Sequence, residues 1–195
     1  MVRAYHVIFS TYGFWLPNDP RGSGSDHVAA PHLRHFGPAT KVQTRRSVAG
    51  KCHDHIVRTE AKKSLKYPPV IFDGVQARAV ARGFAEVLRT CDYPVYACVI
   101  LPQHVHLVIG RHARTIERII AHLKGGATMR LFAKEVHPLM KFSKPVPSPW
   151  SKRTGWVVYL NDDQSVRHRI QYVEENPAKE GKPPQHWGFV KPFPP

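Results

Sequence analysis

The stretch that decides the fold is PVYACVILPQHVHLVIG, residues 94–110. It contains two apolar runs that meet around Leu101, Pro102 and Gln103, a short connection suited to a hairpin. His104 and His106 open the second run. Because successive side chains of a strand point to opposite faces, two histidines separated by one residue share a face. The stretch therefore predicts two strands, the second with a histidine pair on one face of a sheet.

Two further strands are predicted, one well before this stretch and one well after it in the chain. The segment AYHVIFSTY, residues 4–12, has a period of two and many strand-forming residues. Its alternation sets Tyr5, Val7 and Phe9 against His6, Ile8 and Ser10. The segment WVVYL, residues 156–160, is a second strand candidate because it is rich in β-branched and aromatic side chains.

Three helices are predicted from apolar residues at helical spacing. The first has an apolar stripe from Val75 and ends at about Asp92. Thr115 can cap the second, whose pattern is compatible with a bend at Gly125 and Gly126. The third can be capped by Asp162 or Asp163, and Pro177 is expected to stop it just after Asn176. The element order predicts an α+β fold of ferredoxin-like type, an antiparallel sheet with helices packed on one face and a helix at the C-terminus.

The charge of the chain indicates a polyanionic partner. Its 29 Lys and Arg against 14 Asp and Glu give a formal net charge of +15, more than solubility requires. Nucleic acid is favoured over an anionic membrane, and the alternative is a basic surface without a specific partner. A single domain over residues 1–195 is expected, with a long insertion at about 13–70 that is basic around 30–68.

The cellular compartment is predicted from the lack of membrane and export signals and from the spacing of the cysteines. No apolar stretch approaches the roughly 18 residues that a membrane span needs, and the N-terminus lacks a cleavage site for a signal peptide. Cys52, Cys91 and Cys98 are widely spaced and form no CxxC, so reduced thiols are expected. These features favour a cytoplasmic protein with no membrane partner.

The histidine pair alone is weak support for a metal site. With 13 histidines in 195 residues, about one such spacing is expected by chance, and His53 and His55 form a second one in an irregular basic segment. Solvated side chains are the favoured interpretation for that second pair. Two imidazoles on one strand face can bind a divalent cation if a further ligand comes from elsewhere, and otherwise they are two partly exposed histidines.

The last helix offers the missing groups. Tyr172 and Asn176 are four residues apart, so they lie about 40° apart around the helix and can face one metal. A phenol is a poor nucleophile at neutral pH because its ordinary pKa is near 10, but a neighbouring cation favours phenolate. A metal-supported tyrosine could then attack phosphorus, with Arg169 one turn away to contact a phosphate. The alternatives are a tyrosine packed on the sheet and a solvated arginine.

These motifs resemble a known family. PQHVHLVIG, followed some seventy residues later by YVEENPAKEG, resembles the single-tyrosine HUH transposases, especially the REP-associated tyrosine transposases. The histidine, hydrophobic, histidine motif maps onto His104, Val105 and His106, and the Tyr-x-x-x-Asn-Pro motif onto Tyr172, Asn176 and Pro177. SPWSKRTGWVVYLNDDQSV and TYGFWLPNDPRGSG also resemble segments of this family, and the likeness covers nearly all of residues 4–190.

The resemblance implies a fold, a cofactor and an activity. It implies a ferredoxin-like fold in which the C-terminal helix is catalytic, Mg²⁺ or Mn²⁺ held by His104, His106 and Asn176, and cleavage of single-stranded DNA, often beside a hairpin. Tyr172 would become joined to the 5′ phosphate, releasing a 3′ hydroxyl, and strand transfer would be the reverse attack. Gln103 stands where many relatives carry Asn, and the basic insertion matches no family motif.

Several questions stay open at this point. Trp15, Arg21, Arg169 and Lys179 are candidate contacts to nucleic acid, and Phe14 and Trp187 could likewise stack on bases or pack internally. Competing functions are a nonenzymatic module that binds hairpin DNA or RNA and a phosphodiesterase that uses activated water. A monomer and a homodimer are both compatible with the sequence, as are attack by the tyrosine of the same chain and of a partner.

Overall fold

A computed structural model describes residues 1–17, 19, 27–28, 30–39, 54–152 and 155–194. The elements, in chain order, are β1 (Ala4–Ser10), a short 3-10 helix (Pro31–Phe36), α1 (His55–Lys63), α2 (Gly74–Cys91), β2 (Val95–Ile100), β3 (His104–Gly110), α3 (Ile116–Ala133), β4 (Trp156–Leu160) and α4 (Asp163–Lys179). Each strand and long helix predicted from the sequence is present.

The sheet has four strands in the order β2-β3-β1-β4, and every neighbouring pair is antiparallel. With α2 between β1 and β2 and α3 between β3 and β4, this is the ferredoxin-like order. The predicted α+β, ferredoxin-like class is confirmed. The 3-10 helix and α1 both lie in the long segment between β1 and α2, where the insertion was predicted.

Helices cover both faces of the sheet. Val7, Phe9 and Leu107 belong to the main core, which they share with α2 and α3. The opposite face contributes Ala4, Val99 and Val108 to a smaller core, which α4 completes. The alternation of each strand separates these two sets. The prediction of helices on one face holds for α2 and α3, whereas α4 packs on the second face.

Helix α3 runs without a break through Gly125 and Gly126, so the bend that its pattern allowed is not formed. Gly126 has a packing reason, because α2 and α3 touch backbone to backbone at this residue. A Cβ added to Gly83 of α2 would lie 2.5 Å from the carbonyl oxygen of Gly126 and 2.7 Å from the amide nitrogen of Ala127. The close approach of the two helices therefore requires glycine here.

The predicted end of α4 at Asn176 is wrong, because the helix continues to Lys179 with Pro177 inside its last turn. Proline lacks an N–H and usually stops a helix. Here the proline is buried, and its carbonyl oxygen accepts hydrogen bonds from the amides of Glu180 at 3.0 Å and Lys182 at 2.8 Å. These bonds close the helix end after the proline. The predicted cap Asp162 accepts from the amide of Ser165 at 2.7 Å.

Part of the insertion is anchored to the rest of the protein. Leu16, Leu33 and Ala61 form a small separate apolar cluster, and the buried carboxylate of Asp19 pairs with Arg58 at 3.3 Å. His55 begins α1 and is exposed, in agreement with the prediction of a solvated side chain, and His53 lies outside the described residues.

Two smaller predictions can be compared with the structure. Cys91 and Cys98 are free thiols, and Cys52 lies outside the described residues. Within the described ranges, none of the helices is long and apolar enough to cross a bilayer.

Candidate active site

The histidine pair lies on the face of β3 that α4 covers. In the register of the sheet, His104 is opposite Ser10 and His106 is opposite Ile8. The two imidazole centroids are 4.9 Å apart, and His106 is only 4% exposed. The strand and the shared face expected for this pair are therefore both present, and the pair is held by the centre of the sheet.

Helix α4 brings Tyr172 to these histidines within one chain. The phenol ring is half-buried, and its centroid lies 6.0 Å from that of His106, with the planes at 65°. Asn176, one turn later, is 7% exposed and donates from Nδ2 to the backbone oxygen of Tyr172 at 3.0 Å. Because Nδ2 is used in this way, the amide oxygen of Asn176 is the group left for a ligand.

His6 is a third histidine of the site, and it belongs to no motif that marks it in the sequence. Its Nε2 lies 3.1 Å from Nδ1 of His106, and its ring centroid lies 5.8 Å from that of Tyr172. His6 is 1% exposed, and its Nδ1 has no hydrogen-bond partner among the residues described. The signal was its place opposite Tyr5, Val7 and Phe9 in the alternation of β1. The alternation alone does not show that His6 contacts His106, because this contact depends on the register of β1 against β3.

The hydrogen bond between His6 and His106 restricts their tautomers. One proton lies between the two nitrogens, so one ring donates and the other accepts. If His106 donates from Nδ1, its Nε2 carries a lone pair that can bind a cation, which is the usual arrangement when a second group holds a histidine ligand.

Both rings are held in the neutral form. Burial, and to a smaller extent the charge of Arg169, lower the pKa of His6 to about 3. Burial also lowers the pKa of His106 well below its ordinary value, with additional contributions from His104, His6, Arg169 and Lys179. A neutral imidazole is the form that binds a metal. Burial thus keeps both rings neutral, which for His106 is the form that could bind a metal.

Two cations lie against the ring of Tyr172. The guanidinium carbon of Arg169 is 5.2 Å from the ring centroid, and Nζ of Lys179 is 4.5 Å from it. Lys179 is exposed and also pairs with Glu175 at 3.5 Å. Positive charge beside a phenol stabilises negative charge on its oxygen and attracts phosphate. Both residues, expected to contact nucleic acid, are therefore at the candidate nucleophile.

Aromatic and acidic groups form the rim of the site around His104. The ring of Phe14 stacks on His104 at 5.1 Å and is buried, so it packs internally. Trp15 is half-exposed beside it, with centroids 5.6 Å apart. Oε1 of Glu180 lies 3.7 Å from Nε2 of His104. Arg21, the remaining candidate contact, lies outside the described residues.

The chemistry of this donor set suits a small divalent cation. Imidazole nitrogens and an amide oxygen are ligands accepted by Mn²⁺, and the oxygen suits Mg²⁺. Over the described ranges, no group of three His, Cys, Asp or Glu side chains could hold a metal ion. A third ligand of another type is needed, and the amide oxygen of Asn176 fits that requirement.

Comparison with known proteins found similarity only among solved structures. No protein-family model and no curated protein sequence matches the chain. The structure of a REP-associated tyrosine transposase bound to a REP hairpin is similar, with 13% identity, a TM-score of 0.47, and coverage of 92% of this chain and 68% of that one. A predicted transposase from Deinococcus radiodurans R1 has 15% identity, a TM-score of 0.40, and coverage of 90% and 91%. The chain is thus similar to structures described as transposases.

Proposed function

We propose that the protein is a metal-dependent transposase that nicks single-stranded DNA and transfers the strand through a covalent 5′-phosphotyrosine at Tyr172. The observation that carries this proposal is the position of the phenol ring, 6.0 Å from the His106 ring and in contact with two cations. A tyrosine packed only for stability has no need of histidines on one side and positive charge on the other. A phosphoryl-transfer nucleophile needs both.

In the proposed reaction, the phenolic oxygen of Tyr172 attacks the scissile phosphorus. The new bond joins tyrosine to the 5′ phosphate as the bond to the 3′ oxygen breaks. The phenolic proton leaves to solvent, and the 3′ oxygen takes up a proton. Attack of a 3′ hydroxyl on the phosphotyrosine is the reverse step, and it joins the strands without ATP because the bond energy is retained. Arg169 and Lys179 stabilise charge on the phosphate.

His104, His106 and Asn176 are the proposed ligands of Mg²⁺ or Mn²⁺. When bound there, the ion polarises the scissile phosphate and stabilises charge on its oxygens. His6 is proposed to accept a hydrogen bond from Nδ1 of His106, which fixes the ring and leaves Nε2 as the ligand atom. His6 thus acts through His106 and is a positioning residue.

The proposed substrate is single-stranded DNA next to a hairpin. The charge of +15 favours a nucleic acid partner, and the half-exposed Trp15 beside the site is placed to stack on an unpaired base. Because Tyr172 and the histidines meet within one chain, a monomer is sufficient for this chemistry. Dimerisation is not required by the site.

The proposal is tested by trapping the covalent product. The wild-type chain, incubated with Mn²⁺ and a pool of single-stranded oligonucleotides, is expected to form a protein–DNA adduct that survives denaturation. Tyr172→Phe should form none, because it lacks the attacking oxygen. Tyr159→Phe is the matched control, since Tyr159 is 56% exposed on β4. It should retain the wild-type yield.

The alternatives give different results in the same assay. Equal adduct yields from the wild type and Tyr172→Phe would exclude Tyr172 as the nucleophile. Cleavage without any adduct would indicate a phosphodiesterase that uses activated water. Binding without cleavage, with Mg²⁺ or Mn²⁺ present, would indicate a nonenzymatic module for hairpin DNA or RNA.

A further inference from the structure

A basic surface lies on the side of the sheet opposite to Tyr172, between α2 and the C-terminal tail. The tail, residues 182–194, runs along the edge strand β2. The side-chain amide of Gln185 accepts from the amide of Ile100 and donates to its carbonyl oxygen, both at 2.9 Å, and the amide of Lys191 donates to the carbonyl oxygen of Val95 at 2.8 Å. These bonds hold the tail beside α2. A groove of about 690 Å³ lies between the tail and α2.

One wall of this groove is a row of arginines on α2. Arg78, Arg82 and Arg89 line it, and all three are exposed. Their spacing of four and then seven residues keeps them within about 40° of one another around the helix axis. Among the described residues that line the groove, the one carboxylate belongs to Asp92, which already pairs with Lys191 at 2.9 Å. The groove therefore carries a large excess of positive charge.

The other wall is aromatic. Trp187 and Phe189 of the tail line the groove with nearly parallel rings, 5° apart in orientation and 6.3 Å between centroids. Both are half-buried, so part of each side chain packs on the main core and part faces the groove. Aromatic surface beside guanidinium groups is the combination that binds unpaired nucleotides, with bases on the rings and phosphates on the cations.

The dimensions favour a strand over a single nucleotide. Arg78 and Arg89 are eleven residues apart on one helix, which places them about 16 Å apart along its axis. Duplex DNA rises about 3.4 Å per nucleotide of one strand, and an unstacked strand is more extended, so this length spans more than one phosphate and fewer than about five. A free nucleotide would leave most of the arginine row without a partner. A chain of phosphates satisfies the whole row.

The tail also connects this groove with the candidate active site. Glu180, just after α4, lies 3.7 Å from His104, and Trp187 is only seven residues further along the chain. Helix α2 covers the sheet face opposite to α4, so a strand in the groove is not the segment that Tyr172 would cleave. A DNA that occupies both sites has to pass around the sheet, and the tail runs along the β2 edge.

We propose that the groove between α2 and the tail binds a single-stranded DNA segment that flanks the cleaved one. The identity of the ligand rests on the proposed function, since the same DNA is taken to occupy both places. The groove itself rests on its own residues. In this proposal, the groove binds the flanking strand, and a different part of the protein, at Tyr172, cleaves the DNA.

The test measures binding without cleavage. Fluorescence anisotropy with the full chain in EDTA compares a labelled hairpin that carries a single-stranded flank with the same hairpin without it. The groove variant is Arg78→Gln, Arg82→Gln and Arg89→Gln together. The control variant, Arg118→Gln, Lys134→Gln and Lys141→Gln, removes the same charge from exposed cations that do not line the groove.

The groove variant is expected to lose about tenfold or more in affinity for the flanked hairpin, and its salt dependence, the slope of log K against log salt, should fall by about two. Binding of the hairpin without a flank should change no more than in the control. Equal losses in the two variants, or equal losses with and without the flank, would overturn the proposal. A failure of the adduct assay with normal flank binding would instead count against Tyr172 alone.

Discussion

At the scale of single residues, the hydrogen bond between His6 and His106 decides which nitrogen of His106 is free to bind a metal. The bond is buried and occupies Nδ1 of His106. Only Nε2 of that ring is then left for a metal. Nothing in the sequence motif alone supplies this constraint, because His6 is a hundred positions away and belongs to another strand. Its effect is therefore separable from that of the two motif histidines.

Replacing His6 by leucine should weaken binding of Mn²⁺ by about 10- to 100-fold, because His106 loses the group that orients it. The variant should still fold, but with a free energy of unfolding lowered by about 1–3 kcal/mol, because Nδ1 of His106 loses its buried hydrogen-bond partner. The measurement is calorimetric titration with Mn²⁺, with thermal unfolding as the check on folding.

His6→Gln is the matched control for this change. Its side-chain oxygen can accept a hydrogen bond from Nδ1 of His106, so most of the metal affinity should return. If the leucine and glutamine variants bind Mn²⁺ equally well, His6 has no positioning role. That result would leave the ligands His104 and His106 to be tested by their own substitutions.

At the scale of the elements, the contact between α2 and α3 depends on backbone approach at Gly83 and Gly126. An added methyl at Gly83 would overlap backbone atoms of α3, which cannot move aside as a flexible side chain can. Gly83→Ala should therefore lower the free energy of unfolding by about 1–3 kcal/mol, in the range of overpacked sites. Urea denaturation at one pH measures this change.

Gly125→Ala is the control, because a Cβ at Gly125 would meet nothing within 4 Å and the residue is exposed. Here alanine should raise the free energy of unfolding by roughly 0.5–1 kcal/mol through its better helix propensity. A neutral Gly83→Ala, or a Gly125→Ala as destabilised as Gly83→Ala, would contradict the assignment of Gly83 to the helix contact.

The same elements show what periodicity can predict. Strands β2 and β3 and helix α2 follow from local alternation and stripes, and the pairing of Tyr172 with Asn176 follows from a spacing of four residues. The face that α4 occupies does not follow, because it depends on which side of the sheet is left open after α2 and α3 have packed. His6 depends on strand register, and the continuation of α4 past Pro177 depends on bonds from Glu180 and Lys182. These are tertiary effects that no local pattern contains.

At the scale of the whole molecule, buried ionisable groups make stability depend on pH. Burial lowers the pKa of Lys124 to about 8, and its Nζ lies 3.2 Å from the carbonyl oxygen of Ser151 and 5.1 Å from the Phe9 ring. Between about pH 8 and the ordinary lysine value of 10.5, the unfolded chain binds a proton that the folded chain does not, so stability rises with pH. Burial raises the pKa of the Cys98 thiol, and this acts in the opposite direction above its ordinary value of 9.0.

A Lys124→Met variant isolates the lysine contribution, because Cys98 is the same in both proteins. At neutral pH the variant avoids the cost of a buried charge, which is at most about 3 kcal/mol for this shift, and loses a hydrogen bond of about 1 kcal/mol. Its stability relative to the wild type should therefore decrease steadily from pH 8 to 10.5, as the wild-type lysine becomes neutral. Urea denaturation across this range gives the difference at each pH. With the exposed Lys141→Met as the control, the difference should stay flat, and a flat difference for Lys124→Met as well would mean that the amine is solvated in the folded chain.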